Sequence, residues 1–267
     1  MIPNILSIAG SDPSGGAGIQ ADLKAISANG GYGMAVITAL TAQNTRGVRD
    51  VELVRPAFIR AQIAAILDDI RVDAVKIGML GTAEIITAVV AELARRGLPV
   101  IVDPVMVAKG GDRLLATEAV AAMRETLLPI ATVITPNLPE AADLLSLPEA
   151  QNPEEMEAQA AALLSLGPRS VFLKGGHLAG ADSPDLFLSA TARDWSSAPR
   201  IATRNTHGTG CTLSAALATH LALTGDPLAA AKAAKAYTLG AIRGADRLTV
   251  GQGHGPTDHF FAQRTAP

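Results

Sequence analysis

The chain has 267 residues, of which 48% are hydrophobic and 18% charged, with a net charge of −3. That mild acidity, with only 3% aromatic residues, excludes a nucleic-acid binder that works by phosphate contacts or base stacking. Cys211 is the only cysteine, so an intrachain disulfide and a zinc ribbon are excluded too, and a chain of this length buries enough surface to fold without either.

In chain order, short apolar runs alternate with longer alanine-rich stretches, the pattern of βαβ units on a mostly parallel sheet. The first ten residues lack a basic region and their apolar run is short, so residues 5–9 read as the first buried strand of a cytoplasmic protein rather than as an export signal. A helix is expected over 18–29, a strand over 35–40, a helix over 56–69 and a strand over 74–77. Then come a helix over 83–96, a strand over 100–102, a helix over 117–127 and a strand over 133–135. A helix over 154–166, a strand over 171–173 and two alanine-rich helices over 212–223 and 227–246 complete the pattern. The longest apolar stretches, such as 85–93, fall short of the roughly 20 residues a membrane span needs. Residues 147–155 are the most loop-like stretch, yet they run straight into a helix, so residues 1–267 read as one domain.

Ligands of open α/β sheets sit beyond the carboxyl ends of the strands, and two glycine-rich segments fall there. The first is Gly10-Ser11-Asp12-Pro13-Ser14-Gly15-Gly16-Ala17-Gly18. Its Gly16-Ala17-Gly18-Ile19-Gln20-Ala21 fits the dinucleotide pattern G-x-G-x-x-A and raises a nicotinamide-dependent oxidoreductase. Against that, the loop is long, and no acidic residue ends a second strand about 20 residues on. A glycine turn that packs the first helix on the sheet explains the segment equally well. The second is Asn205-Thr206-His207-Gly208-Thr209-Gly210-Cys211-Thr212-Leu213-Ser214, directly before a helix. Glycines there permit close backbone approach, and the amides of a helix start favour an anion, which suits a phosphoryl group in transit. Cys211 lies at that helix start, where dipole and amides are expected to lower a thiol pKa; an inert buried cysteine is the alternative. Adjacent His207 is read as loop structure or a phosphate neighbour rather than as a Cys–His partner, and His254 in the glycine-rich tail is read as non-catalytic.

These segments, with Asn137-Leu138-Pro139-Glu140 after a strand and Lys174-Gly175-Gly176-His177 after another, resemble the ribokinase-like sugar and vitamin kinases, and among them the hydroxymethylpyrimidine/phosphomethylpyrimidine kinases of thiamine biosynthesis. The resemblance extends over nearly the whole chain through segments 9–23, 35–47, 76–80, 134–142, 174–177 and 205–216. It implies a three-layer α/β fold, a central and mostly parallel sheet flanked by helices, and ATP-dependent phosphorylation of an aminopyrimidine alcohol and then of its monophosphate. Where the wider superfamily carries an aspartate base, this sequence has Cys211, which the resemblance makes the candidate base, with Gly208 and Gly210 framing an anion hole. It further implies Asn137, Lys174 and Thr206 at the nucleotide, and Asp103 and Glu140 at a magnesium ion that accompanies ATP.

For the pyrimidine, the resemblance points to Gln43, whose carboxamide suits an edge with a ring nitrogen beside an amino group. Asp22 and Met79 are weaker pocket candidates, and Lys109 with Gly110 and Gly111 reads as a loop near the acceptor site. Read alone, Glu140 is a first-turn helix carboxylate, Asp103 a polar strand end, Lys174 a surface lysine and Met79 a core side chain. A pyridoxal-type kinase is the neighbouring alternative, because that vitamin also presents a hydroxymethyl group on an aromatic nitrogen ring. A non-catalytic pyrimidine sensor needs the Gln43 pocket but no phosphate machinery. Partners are expected to be small molecules alone, with neither nucleic acid nor membrane, and the family's habit suggests a homodimer.

Overall fold

In the computed structural model, which describes residues 1–106 and 116–264, eight strands form one sheet with helices on both faces. In chain order the strands are β1 (Asn4–Ala9), β2 (Tyr32–Ile37), β3 (Ala39–Asn44), β4 (Gly47–Leu53), β5 (Ala74–Ile77), β6 (Val100–Val102), β7 (Val133–Ile134), β8 (Ser170–Lys174), β9 (Asp185–Ser189) and β10 (Arg193–Ser196). The helices are α1 (Gly18–Ala28), α2 (Pro56–Leu67), α3 (Ala83–Leu93), α4 (Thr117–Ala122), α5 (Leu138–Leu145), α6 (Pro153–Leu164), α7 (Thr209–Thr224) and α8 (Pro227–Gly244). The main sheet has the order β10-β9-β8-β7-β6-β5-β1-β2, parallel from β8 to β2 with β9 and β10 antiparallel at one edge, while β3 and β4 pair as a separate hairpin.

The parallel strands are buried on both faces, which is why they read as unbroken apolar runs. Side chains alternate between two cores. Leu6, Ile8, Val75 and Ile77 join the side chains of α2, α3, α5 and α6, whereas Ile5 and Ala74 join those of α1, α7 and α8. Helix α7 is buried almost all round, and its alanines let α1 and α8 close over it. Among the described residues no helix is long and apolar enough to cross a membrane.

Four sequence expectations change. The strand expected over 35–40 is two strands, because buried Thr38 donates to the Met79 carbonyl at 2.7 Å and turns the chain out of the sheet into the hairpin. The helix expected over 117–127 ends at Ala122 and continues as one π-turn over Met123–Leu127. Helix α6 starts at Pro153 behind an Asn152 cap, so the loop is shorter than 147–155. Strands β4, β9 and β10 were not expected, and helix α5 was expected only through the reading of Glu140 as a first-turn carboxylate, which its span of Leu138–Leu145 fits. Lys109, Gly110 and Gly111 lie outside the described residues.

The chain leaves β1 toward β2 on one side and β5 on the other. The carboxyl end of β1 is therefore the crevice where such sheets bind ligands.

Candidate active site

The carboxyl ends of β1, β5, β6 and β8 open into one cavity of about 810 Å³, closed by the α7 start and the β3–β4 hairpin. Of the site residues expected from sequence, all but Asp22 line it.

One wall is acidic with a lysine set into it. Asp103 follows β6 and is buried; it accepts from Lys174 Nζ at 3.1 Å, Thr135 Oγ1 at 3.1 Å and Ser214 Oγ at 3.3 Å. Burial works to raise its pKa, but the Lys174 and Lys76 ammonium groups outweigh it and hold the carboxylate below its ordinary value. Glu140 lies 4.0 Å from the same Lys174 nitrogen. Burial pushes the Glu140 carboxyl up to about 7, against the pull of Lys174 and with added repulsion from Asp103. Lys174 is itself desolvated, yet Asp103 and Glu140 keep its pKa above the ordinary lysine value.

Local structure fixes these groups. Asn137 caps α5 by accepting from the Glu140 amide at 2.8 Å, and Glu140 accepts from the Asn137 amide at 2.8 Å, a reciprocal capping box. Lys235 donates to Asp185 at 2.7 Å and to the Ser183 and Ser196 carbonyls, while Asp185 accepts from the Gly175 amide at 2.9 Å, which pins the turn that aims Lys174. Neither Lys235 nor Asp185 was foreseen; both also line the cavity. Among the described residues no cluster of three or more His, Cys, Asp or Glu side chains encloses a metal. Two carboxylates flanking a lysine nevertheless fit hydrated magnesium, which takes one or two carboxylates and keeps its waters.

The opposite wall is the start of α7. Gly208 is its N-cap with φ +76°, and a Cβ there would lie 1.8 Å from the Gly16 carbonyl oxygen, so only glycine lets the two glycine-rich segments meet. A Cβ on Gly210 would lie 3.2 Å from Asp103 Oδ2 and 3.3 Å from Lys174 Nζ, in the space between helix start and acidic wall. The first turn, Thr209-Gly210-Cys211, carries amides of the kind that lack intrahelical partners. Thr206 accepts from the Thr209 amide and hydroxyl through its carbonyl. Cys211 is half-buried, and the thiol expected to be lowered is instead raised to about 11. Burial is the dominant cause; Lys76 and the Gly18 amide pull the other way, and Asp22 and Asp103 add to the rise.

Asp22 does not reach the cavity, contrary to the pocket role expected for it. It is fully buried in α1, held by Lys76 Nζ at 2.8 and 2.9 Å and by Ser7 Oγ at 2.6 Å. Ser7 and Lys76 pair in register on β1 and β5 and face α1. Lys76, unforeseen from sequence, lines the cavity in Asp22's stead, and Asp22 more than offsets its burial to hold it well above the ordinary lysine value.

Gln43 sits on the hairpin where a bulge between Ala42 and Gln43 shifts the register, and bulges re-aim side chains. Met79 follows β5 into the cavity and is 8% exposed. His207 pairs not with Cys211 but with Asp12, Nε2 to Oδ2 at 2.8 Å. Asp12 in turn accepts from the Ser14, Gly16 and Ala17 amides, which shapes the first glycine-rich segment. Burial would raise the Asp12 carboxyl, but its bonds from His207 and Ser14 lower it. His254 is exposed and bonds the Arg204 carbonyl, outside the cavity.

A mostly parallel sheet, a glycine-framed helix start and a lysine–carboxylate wall at one crevice define a ribokinase-like small-molecule kinase. The sequence profile of the phosphomethylpyrimidine kinase family matches residues 12–258, and the chain belongs to that family. The hydroxymethylpyrimidine/phosphomethylpyrimidine kinase of Salmonella typhimurium is 51% identical over 97% of this chain and 98% of its own. Among solved structures, an ADP complex of Bacillus subtilis pyridoxal kinase superposes with a TM-score of 0.90 at 37% identity, over 98% of this chain and 99% of that one. The phosphomethylpyrimidine kinase of Clostridium difficile superposes with a TM-score of 0.79 at 42% identity, over 90% of this chain and 99% of that one.

Proposed function

We propose that this kinase transfers the γ-phosphoryl group of ATP to the hydroxymethyl oxygen of 4-amino-5-hydroxymethyl-2-methylpyrimidine. A second round adds a phosphoryl group to the resulting monophosphate and gives the pyrimidine pyrophosphate used in thiamine assembly. The supporting observation is one cavity that joins a carboxamide, Gln43, to a helix start and a lysine–carboxylate wall suited to polyphosphate. Residues 1–267 act in this reading as one kinase domain in the cytoplasm.

Gln43 holds the amino and ring-nitrogen edge, and Met79 offers an apolar surface to the ring. The first-turn amides of α7, with Gly208 and Gly210 leaving room for the phosphate, stabilise charge on the equatorial oxygens; Lys174 and Thr206, with Asn137 at the α5 cap, flank the nucleotide. As the O–P bond forms, the bond to the bridging oxygen of ADP breaks, and Cys211 takes the hydroxyl proton. Asp103 and Glu140 are the residues that would hold magnesium through its waters, and that ion neutralises charge on the β- and γ-phosphates when bound.

Steady-state turnover of the aminopyrimidine alcohol and of pyridoxal tests the reading. The pyrimidine should have the higher kcat/KM, and Gln43→Ala should weaken its binding about tenfold or more, as loss of a paired carboxamide does. Pyridoxal as the better substrate would support the second reading, a vitamin-alcohol kinase, which the likeness to Bacillus subtilis pyridoxal kinase favours.

The homodimer belongs to the same proposal. Leu40, Leu53 and Phe58, on β3, β4 and α2, remain 51%, 40% and 56% exposed and support self-association through this face.

A further inference from the structure

Among the described residues, four lysine and arginine side chains line the cavity: Lys76, Lys174, Arg200 and Lys235. Their hydrogen bonds decide which of them can serve a phosphate, because an ammonium has three N–H donors and a guanidinium five. Lys76 gives two to Asp22 and is wholly buried. Arg200 donates to the Gly176, Leu178, Gly180 and Asp182 carbonyls of the segment after β8. Lys235 spends all three donors, at 2.7 Å on Asp185 Oδ2, 2.9 Å on the Ser183 carbonyl and 2.8 Å on the Ser196 carbonyl. Lys174 makes one hydrogen bond, to Asp103 at 3.1 Å, and lies 4.0 Å from Glu140, so two of its N–H groups are uncommitted among the described residues. A phosphate that drew Lys235 away would cost three bonds and strand the Asp185 carboxylate, which is 6% exposed.

We infer that Lys235, acting through Asp185, is a positioning residue that aims Lys174 at the phosphoryl group in transit and is not itself a phosphate ligand; this rests on the reading above of Lys174 at the nucleotide. The route runs through the backbone. The direction in which the Lys174 side chain leaves the chain follows from its φ and ψ, the two soft torsions of a residue. Its own amide fixes φ by donating to the Pro136 carbonyl at 2.9 Å. The Gly175 amide, in the peptide plane that ψ turns, donates to Asp185 Oδ1 at 2.9 Å. Asp185 stands directly opposite Lys174 in the β8–β9 register. The Pro184 carbonyl closes on Gly175 from the same strand, where a Cβ would lie 2.0 Å from its oxygen. Lys235 reaches from α8 to hold the other oxygen of the carboxylate, and its two carbonyl bonds join the residues before β9 to the end of β10. A cation on the cavity wall thus acts on the phosphate only by way of Asp185, Gly175 and Lys174.

The test measures kcat for the aminopyrimidine alcohol and ATP KM in single and combined variants. Lys235→Met keeps much of the side chain's length and loses its donors. It should lower kcat by about tenfold to a hundredfold, the scale of a misplacement of about 1 Å, and change ATP KM less than about threefold. Added to Lys174→Met, it should cost less than about a further twofold, because a residue that acts through Lys174 then has nothing to aim. Combining Lys235→Met with Asp185→Asn should restore most of the lost kcat, since the carboxamide oxygen still accepts from the Gly175 amide and no buried charge is stranded. A lysine that touched the phosphate could not be replaced in this way. Unchanged kcat in a folded Lys235→Met would overturn the positioning role, and so would losses that multiply in the Lys174→Met background with ATP KM raised. A combined Lys235→Met and Asp185→Asn protein that fails to fold, or is as slow as Lys174→Met, would also overturn it. Unchanged kcat in Lys174→Met would overturn the underlying reading as well.

Discussion

The Cys211 thiol, raised to about 11, is a thiolate in only about one molecule in 10⁴ at pH 7. A base so rarely deprotonated leaves a signature in the pH profile. Phosphorylation of the hydroxymethyl group should quicken with rising pH, approaching tenfold per unit above neutrality, and Cys211→Ala should flatten that rise and lower turnover by at least about tenfold. The second phosphorylation differs, because its acceptor is a phosphate whose second pKa is about 6, so no proton need be removed at pH 7. Cys211→Ala should therefore harm the first step more than the second. Single-turnover measurement of each step checks this; equal losses in both would remove the thiol from proton transfer. Glu140 gives a prediction in stability. Its folded-state pKa of about 7 lies above the ordinary 4.5, so its contribution is complete below pH 4.5 and is lost as pH rises through 7. Glu140→Gln keeps the acceptor of the capping box and escapes that loss. In urea unfolding without magnesium, the variant should gain on the wild type between pH 5 and pH 8 by up to about 3 kcal/mol. A gain at pH 5 rather than pH 8 would contradict the burial account. With magnesium present, the variant should need more of the ion for full activity.

At the scale of elements, the Ser7–Lys76–Asp22 group ties β1 and β5 to α1 at the base of the crevice. Lys76→Met would strand the Asp22 carboxylate in a site with no water, and breaking a buried pair in this way costs about 3–5 kcal/mol. Adding Asp22→Leu should recover most of that loss in denaturant unfolding; a second loss of equal size would show that the pair does not act as a unit. The same elements show what a sequence can carry. The parallel strands were legible because burial on both faces makes each an apolar run. The break at Thr38 was not, because Val36 to Leu40 reads as one such run, and only the bond to Met79 explains the turn. Helix α5 was legible only at its start: Asn137-x-x-Glu140 has the capping-box spacing, and Glu140 reads both as a first-turn helix carboxylate and as part of a ligand motif, but the residues that follow gave the helix no range. Lys76 and Asp12 were illegible in another sense. Their chemistry lies in partners 54 and 195 residues away in the chain, so only the folded register shows it. The Cys211 expectation failed because the helix-start amides were counted and desolvation was not.

At the scale of the whole molecule, β2 is the edge strand of the sheet, and the hairpin beside it carries exposed leucines. Apolar side chains of this kind, gathered on neighbouring elements, mark an interaction surface. In sedimentation velocity at micromolar concentration the chain should have twice its monomer mass, and Phe58→Glu should shift it toward monomer; a wild-type monomer would contradict the homodimer.

The central claim is that one cavity carries two successive phosphorylations of an aminopyrimidine. Phosphorus NMR of the products formed from magnesium-ATP and hydroxymethylpyrimidine monophosphate tests it most directly. The account predicts the two coupled resonances of a pyrimidine pyrophosphate, growing as ATP is converted to ADP. Unchanged monophosphate, with pyridoxal phosphorylated by the same preparation, would contradict it and leave a vitamin-alcohol kinase in its place.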